Sequence, residues 1–419
     1  MLCALAVALA RLCHLRYHSA LMRRFSSFNA TVGAVAILLT SLAGCGDDST
    51  SAVPASADEL FEVGPYEVGY REMAITYDAA ASMEPRELVL RVWYPAESDS
   101  GAGPARYAVG GIIDLPAEVA LDAPPVTPDG DLPFVIYTHG NGGEGLLAYP
   151  YGELMASHGW ILVAPNHTGN TAFDFLGTPD PFARSALDRP NDITAIIDEF
   201  ESGLSGDDLA GKADTSGVFL FGHSFGGYTT FTVGGAEVDF DSLNEGCDRV
   251  TSDDCDVLSD PNVEAAFRAG FIDPRVVALA PQAPAIIGFG ESELAALELP
   301  TMLMSGRLDQ TTTQEESADP AWAGLNGADD LWIEMPKGAH YSFITICHDL
   351  TPDVLALFRP NAGEDGCGPE FIDTREAIPV LAAYVFAFGR RHVLGQTEWD
   401  PILTGPPLGN EGDFVLTLK

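Results

Sequence analysis

From about residue 65 onward, apolar runs typical of strands alternate with segments whose apolar positions repeat at helical spacing. Residues 86–96 alternate along the chain and are rich in valine, leucine and aromatic residues, which predicts a strand. The run at 132–143 is continuously apolar before it ends in glycines, as in a strand that is buried on both faces. The full set of predicted strands lies at residues 86–96, 132–143, 160–167, 218–222, 275–284, 300–306 and 331–336.

Helical spacing is clearest at residues 189–202, where Ile193, Ile196, Ile197 and Phe200 fall on one helical face. Pro190 stands near the predicted start of this helix. Further helices are predicted at residues 146–159, 226–236 and 372–390. Strands separated by helices predict an α/β fold, with a mostly parallel, doubly wound sheet and helices on both faces.

Residues 236–274 interrupt this alternation with an acidic, loop-like segment. An insertion near the functional edge of a sheet can act as a lid or as a wall of a site, so we expect a lid-like role. Asp253, Asp254 and Asp256 raise calcium binding as an alternative. Their spacing does not match an EF-hand loop, which favours solvated acid.

The N-terminal part is basic, in contrast to this acidic segment. Residues 1–44 contain four arginines and no acidic residue. From Met22 to Cys45, two arginines precede a short apolar stretch and then small residues, which is the layout of a secretory signal peptide. The last four residues resemble the bacterial lipobox, so we expect a lipid on Cys45 and a true start at Met22. An ordinary signal peptide or an uncleaved anchor is the alternative.

These features divide the chain into four parts. They are a signal peptide at 1–44, a flexible, polar tether at 45–64, a folded domain at 65–395 that contains the insertion 236–274, and a C-terminal tail at 396–419. We expect the lipid anchor to hold the protein at a membrane of the cell envelope, or the protein to be secreted. The sequence leaves the oligomeric state open.

Composition narrows the function. The 419 residues are 46% hydrophobic, which is enough for a large core, and their formal net charge is −40. A chain this acidic repels nucleic acid, so a DNA- or RNA-binding role is excluded.

Four cysteines follow Cys45, in the part of the chain that we expect to be exported. An even number of cysteines in an exported protein favours disulfides. The preferred pairs are Cys247 with Cys255 and Cys347 with Cys367, since each closes a short local loop, and each would stabilise by about 2–4 kcal/mol. A zinc site is the alternative, but no C-x-x-C spacing is present.

The motif with the clearest chemistry is Gly222-His223-Ser224-Phe225-Gly226, which matches G-x-S-x-G. An apolar strand precedes it and a glycine-rich helix follows, as a nucleophile elbow requires. A serine hydroxyl is a weak nucleophile at neutral pH and needs a base that is oriented by an acid.

Candidates for both partners follow later strands, in the order serine, acid, histidine that α/β-hydrolases use. Asp309 stands just past the strand at 300–306, where the carboxyl ends of parallel strands form binding sites. His340 follows the strand at 331–336. The alternatives for the acid are Glu315, Glu316 and Asp330.

A tetrahedral intermediate also needs backbone N–H donors. We expect them from Phe225, directly after the nucleophile, and from Asn141 in the glycine-rich loop that follows the strand at 132–138. Three further histidines are candidates for the substrate pocket: His139, His167 and His223.

Taken in order, "HGNG", "APNHTGNT", "RPNDI", "GHSFGGYT" and "GAHYSF" resemble the predicted dienelactone hydrolases, a family of serine α/β-hydrolases. That family is related to bacterial homologues of platelet-activating factor acetylhydrolase and, more distantly, to cutinase-type polyester hydrolases. The resemblance covers about residues 65–392 and implies a carboxylic-ester hydrolase with no metal or organic cofactor. It carries the roles of nucleophile, base and acid to Ser224, His340 and Asp309.

Two departures qualify the resemblance. Animal acetylhydrolases carry the acid after the strand that follows the nucleophile helix, where this chain has Gln282 and no carboxylate. True dienelactone hydrolases use a cysteine nucleophile. The sequence therefore predicts a serine esterase that acts on small or lipid-like esters, with a serine peptidase or a non-catalytic binding protein on the same fold as alternatives.

Overall fold

Ten strands pair into one mixed sheet in the computed structural model, which describes residues 55–111, 113–115, 119–245, 247 and 252–419. The strands are β1 (Glu67–Asp78), β2 (Pro85–Ala96), β3 (Tyr107–Val109), β4 (Ile113–Leu115), β5 (Ala120–Leu121), β6 (Leu132–Thr138), β7 (Ile161–Asn166), β8 (Ala213–His223), β9 (Val276–Gln282), β10 (Met302–Gly306), β11 (Leu331–Met335) and β12 (Val415–Leu418). The order across the sheet is β12-β11-β10-β9-β8-β6-β7-β2-β1-β5, and β3 pairs with β4 in a separate hairpin.

The middle of the sheet is parallel and its outer part is mixed. Strands β7, β6, β8, β9, β10 and β11 run parallel to their neighbours in this series. Strands β1, β2 and β12 add antiparallel pairs. Parallel strands lie buried between helical layers, which is why the central runs are apolar at consecutive positions. Their carboxyl ends share one edge, where the predicted site residues follow the strands.

Twelve α-helices accompany the strands among the described residues. They are α1 (Tyr149–Ser157), α2 (Phe182–Ser202), α3 (Phe225–Gly234), α4 (Phe240–Asn244), α5 (Asp253–Leu258), α6 (Pro261–Ala269), α7 (Glu291–Leu294), α8 (Asp319–Gly324), α9 (Ile346–Asp349), α10 (Pro352–Phe358), α11 (Thr374–His392) and α12 (Asp400–Thr404). Helices α1 and α11 contribute to one hydrophobic core, and α2 and α3 to the other. The predicted doubly wound α/β architecture is confirmed.

One helix boundary was predicted wrongly. Pro190 lies inside α2, which begins eight residues earlier, and not near its start. Proline has no N–H to donate, so the carbonyl of Ala186 loses its helical partner. The hydroxyl of Tyr228 donates to that carbonyl at 3.2 Å, and this replacement is invisible in the local sequence.

The insertion 236–274 is more helical than expected, and it packs on α2. Its described residues include α4, α5 and α6, and the Asp254 carboxylate accepts a hydrogen bond at 2.8 Å from the N–H of Ala183, in the first turn of α2. This contact gives one of the three aspartates considered for calcium a structural role. Among the described residues, no cluster of three or more histidine, cysteine, aspartate or glutamate side chains could hold a metal ion.

Both ends of the folded domain extend beyond the predicted limits. The tether was expected to run to residue 64, but Leu60 is buried in the core after a short turn at Ala57–Leu60. The tail expected at 396–419 contains β12, which pairs with β11 and extends the sheet. Neither change was visible because each segment offers only a few apolar residues.

The two predicted disulfides are present, Cys247–Cys255 and Cys347–Cys367. The predicted signal peptide, Met22 and the lipidation site Cys45 lie outside the described residues. Within the described part of the chain, none of the helices combines the length and the apolar character that crossing a membrane requires.

Candidate active site

Ser224 sits at a sharp turn between β8 and α3. Its φ of 59° and ψ of −116° are unusual for a residue with a side chain, and such a conformation costs about 1–3 kcal/mol. The glycines of the motif allow the close approach: a Cβ on Gly226 would lie 1.9 Å from the carbonyl oxygen of Thr138, and one on Gly222 would lie 2.4 Å from the Thr138 side chain. The motif therefore matches the strained turn that the sequence predicted.

Neighbouring backbone holds this turn in place. The N–H of Ser224 donates to the carbonyl of Gln282 at 2.8 Å, and the Ser224 carbonyl accepts from the N–H groups of Gly227 and Ala285. Gln282 is the last residue of β9, and its backbone supports the turn. In the animal acetylhydrolase pattern the catalytic acid would follow this same strand.

The three residues proposed for catalysis meet in one hydrogen-bonded chain. His340 Nε2 lies 2.9 Å from Ser224 Oγ, and His340 Nδ1 lies 2.9 Å from Asp309 Oδ2. The Asp309 carboxylate also accepts the backbone N–H groups of Thr311 and Thr312 at 2.8 and 2.7 Å, and the Thr312 hydroxyl at 2.8 Å. The resulting arrangement orients the imidazole with its second nitrogen toward the serine hydroxyl.

The alternative acids do not occupy this position. Asp330 accepts the backbone N–H groups of Thr301 and Gly327, away from His340. Glu315 and Glu316 are exposed on the turn at Gln314–Ala318.

Two residues that the sequence analysis did not single out for this purpose hold the histidine loop. The Asp365 carboxylate accepts the N–H groups of His340 at 3.2 Å and Gln310 at 2.9 Å, so it joins the loops that carry the base and the acid. The His223 ring donates from Nε2 to the carbonyl of His340 at 2.8 Å. Burial keeps the pKa of His223 well below its usual value, so this imidazole is neutral and acts as a fixed donor.

The loop after β6 brings Asn141 to the same site. A Cβ on Gly140 would lie 3.0 Å from the Cβ of Ser224, so the two backbones are in close contact. The side chain of Asn141 is fixed by Asn170, whose amide donates to it at 2.7 Å. Among the described residues, the backbone N–H groups of Asn141 and Phe225 donate to no protein acceptor.

Arg189 lies fully buried beneath this loop. Its guanidinium donates to Asn170 Oδ1 at 2.7 Å, to Thr138 Oγ1 at 3.1 Å and to the carbonyl of His139. The same guanidinium lies 4.7 Å from the ring centroid of Phe225. Burial lowers the pKa of Arg189 to about 9, which still leaves it charged at neutral pH. One side chain thus contacts both segments that carry unpaired N–H groups.

The three candidate pocket histidines have different positions. His139 and His223 line the cavity at Ser224, whereas His167 is fully buried behind it and does not reach the cavity. His167 Nδ1 donates to Asp192 at 2.7 Å, and its Nε2 faces the Thr138 hydroxyl at 2.7 Å. Its placement at a strand end suggested an accessible side chain, but the carboxylate on α2 draws the ring away from solvent.

His167 and Asp192 form a buried pair whose pKa values are shifted by burial and by each other. Burial disfavours the charged forms, and the pKa of His167 is lowered to about 3, so this ring is neutral. Burial also acts on Asp192, but Arg86 and the hydrogen bond from His167 outweigh it and lower the pKa of that carboxyl to about 2. The carboxylate is therefore charged and fixes the tautomer of His167.

A cavity of about 320 Å³ opens above Ser224. Its walls come from the loop 139–144, from the hairpin of β3 and β4, and from the segment 340–361, which includes α9 and α10. No described residue of the insertion 236–274 lines it, so the expectation that the insertion forms a lid over this site is not met. The segment after His340 takes that place, and the disulfide Cys347–Cys367 closes part of it into a loop.

Glu144 is the one carboxylate among the described residues that line the cavity. It is only 3% exposed, and its Oε2 accepts from the amide of Asn166 at 2.7 Å. Burial raises the pKa of Glu144 to about 7, although the Asn166 hydrogen bond opposes this rise. At neutral pH this group is therefore only partly ionised.

The raised pKa of Glu144 predicts a pH-dependent difference in stability. A carboxyl whose usual pKa is 4.5 and whose folded pKa is about 7 binds its proton more tightly in the folded protein. Its favourable contribution is complete below pH 4.5 and is lost as the pH rises through 7. Relative to wild type, Glu144→Gln should therefore gain about 3 kcal/mol of unfolding free energy between these limits.

Urea unfolding at a series of pH values measures this difference. The exposed residue Glu97 provides a control, and Glu97→Gln should follow the wild-type curve. A constant difference between Glu144→Gln and wild type across the series would contradict the burial argument.

No protein-family model matches the chain, and no curated protein matches it. A solved structure that is similar is a ferulic acid esterase from Streptomyces cinnamoneus, with a TM-score of 0.59 and 18% sequence identity. The match covers 87% of this chain and 98% of that chain. At this identity the similarity establishes the fold. The chain has the α/β-hydrolase fold.

Proposed function

We propose that the protein is a serine carboxylic-ester hydrolase that works through an acyl-enzyme on Ser224. The observation that carries the proposal is the continuous chain from Ser224 Oγ through His340 to Asp309, with both links at 2.9 Å, at the floor of an accessible cavity. Such a chain activates a hydroxyl for attack on a carbonyl carbon.

In the first half of the reaction, His340 Nε2 takes the proton of Ser224 as its oxygen attacks the ester carbonyl. The negative charge that forms on the carbonyl oxygen is stabilised by the N–H groups of Phe225 and Asn141. His340 then gives the proton to the departing alcohol, and the acyl group stays on Ser224.

In the second half, His340 takes a proton from water, which attacks the acyl-enzyme. The intermediate collapses, the acid leaves, and the proton returns to Ser224. The Asp309 carboxylate orients His340 and stabilises its imidazolium form. The scheme uses no cofactor.

The cavity supports small or lipid-like esters as substrates. Its volume of about 320 Å³ is at the lower end for small-molecule sites, and several apolar side chains line it, among them Leu147, Ile344 and Phe358. The similar fold of a protein described as a ferulic acid esterase is compatible with ester chemistry. We retain the resemblance to the predicted dienelactone hydrolases as part of this proposal.

Covalent labelling tests the proposed nucleophile. A fluorophosphonate should modify the protein once, and peptide mass spectrometry should place the adduct on Ser224. Hydrolysis of p-nitrophenyl esters but not of the matching peptide anilides is expected, because the proposal is an esterase. Anilide cleavage at a comparable rate would favour the peptidase, and a protein that neither labels nor hydrolyses would be a binding protein.

We also propose that the protein is exported and anchored by lipid at Cys45. The two disulfides support export, since such bonds persist in oxidising compartments. Metabolic labelling with a radioactive fatty acid in a bacterial host should mark the wild-type protein and not Cys45→Ser.

A further inference from the structure

Among the described residues that line the active-site cavity, Arg359 is the one arginine, and it belongs to the segment that follows His340. Arg359 directly follows α10, and it lines the cavity together with Ser224. The disulfide Cys347–Cys367 closes the loop that contains it. This part of the wall is therefore anchored covalently as well as by packing.

The partners of Arg359 are all backbone carbonyls. One terminal nitrogen donates to the carbonyls of Asn141, at 3.1 Å, and Gly142, and the other donates to its neighbour Phe358 at 2.7 Å. Among the residues the structure describes, no carboxylate lies within ion-pair distance of Arg359; burial lowers its pKa, and Glu144 opposes this shift only from farther away. Carbonyl oxygens satisfy hydrogen bonds but leave the positive charge uncompensated.

The surroundings make this charge unusual. The whole chain has 61 acidic residues against 21 lysine and arginine residues, which gives a formal net charge of −40. The carboxyl group that Arg359 could use as a counter-ion inside the cavity is Glu144. This group is only partly ionised at neutral pH, because burial raises its pKa to about 7. An arginine that lines a small, partly apolar cavity and has no carboxylate within ion-pair distance is suited to bind an anion supplied by a ligand.

The position of Arg359 also limits where that anion lies. The guanidinium contacts the carbonyl of Asn141, whose N–H is the proposed donor to the ester oxygen. An anionic group bound to Arg359 would thus lie a short distance from the reacting carbonyl. One substrate molecule can therefore carry both groups.

We propose that Arg359 forms an anion subsite that selects esters carrying a free carboxylate a few bonds from the ester group, such as half-esters of short dicarboxylic acids. This inference rests on the proposed esterase function and specifies its substrate class. The planar guanidinium suits a carboxylate because two N–H groups can meet its two oxygens.

A matched pair of esters tests the subsite. Monoethyl adipate and ethyl hexanoate have the same acyl length and differ in the terminal carboxylate. We expect kcat/KM to favour the adipate half-ester by about 10- to 100-fold, because a hydrogen-bonded charge pair that is shielded from water is worth this much. Arg359→Gln should abolish the preference, and Arg359→Lys should keep part of it. Arg375→Gln, which removes an exposed arginine outside the cavity, should keep all of it.

The ratio of the two rates separates selection from simple support of the loop. If Arg359 only positions Asn141 and Gly142, Arg359→Gln will slow both esters by the same factor, and an unchanged ratio overturns the subsite. Absence of the preference in the wild-type protein overturns it as well.

A binding measurement distinguishes this failure from failure of the proposed function. In the Ser224→Ala background, which cannot hydrolyse them, calorimetry should show monoethyl adipate binding at least about 10-fold more tightly than ethyl hexanoate, and Arg359→Gln should remove the difference. If Ser224 resists the fluorophosphonate but monoethyl adipate still binds through Arg359, the esterase proposal fails and the subsite stands. If labelling succeeds and monoethyl adipate shows no advantage, the subsite fails alone.

Discussion

Ser224→Ala is expected to lower kcat for ester hydrolysis by on the order of 10⁴-fold or more, with little change in the folded structure. The hydroxyl is the proposed nucleophile, and removing it leaves His340 with no group to activate. Alanine retains the Cβ, so the strained turn and the hydrogen bonds of the backbone at residue 224 remain. Steady-state kinetics on p-nitrophenyl esters and circular dichroism measure the two parts of this result.

A glycine variant adds a second readout at the same position. Because residue 224 has φ of 59°, Ser224→Gly relieves the conflict of the side chain with the backbone and should unfold about 1 kcal/mol less readily than Ser224→Ala. It should be equally inactive. Turnover by either variant at more than about a hundredth of the wild-type rate would show that another residue performs the attack.

Arg189→Met is expected to reduce both activity and stability. The change leaves Asn170 and the carbonyl of His139 without their buried donor, so we expect a loss of about 2–4 kcal/mol in unfolding free energy. Asn170 in turn fixes Asn141, so the proposed oxyanion donor should move and kcat should fall by on the order of 10²-fold. Kinetics at a temperature well below the unfolding transition separate the two effects.

Two further variants define this role as positioning. Arg189→Lys keeps the charge but cannot reach all partners of the guanidinium, so its kcat should lie between those of wild type and Arg189→Met. Arg268→Met removes an exposed arginine on α6 and should change stability by no more than about 1 kcal/mol, with normal kcat. A stable, correctly folded Arg189→Met enzyme with wild-type kcat would contradict the positioning role.

The candidate active site shows how far local patterns reach. Ser224 could be predicted because a G-x-S-x-G motif between a buried strand and a glycine-rich helix has few other uses. Asp309 and His340 could be predicted because each follows an apolar run, and parallel strands deliver their C-terminal loops to one edge.

Residues that act through contacts between loops could not be predicted in the same way. Asp365 joins the loops of Asp309 and His340, but in the sequence it is one acidic residue in a glycine-rich stretch. Arg189 and Asn170 belong to "RPNDI" and "APNHTGNT", two of the motifs that carry the family resemblance. That membership was the one hint in the sequence that these residues matter for the site. Arg359 had no local signal, because a single arginine in a loop is usually solvated.

The sequence by itself determined the central strands β2 and β6 to β11 with helices α1, α2, α3 and α11, the elbow at Ser224 and the two local disulfides, since these depend on periodicity, glycine and short-range loop closure. Only the tertiary structure decided which segment covers the cavity, which histidine is buried behind it and which cation lines it. Those features depend on long-range packing: the disulfide-closed segment at 340–361 reaches the sheet edge and the acidic insertion packs on α2. Their free energies come from contacts between residues far apart in the chain, which local patterns do not encode.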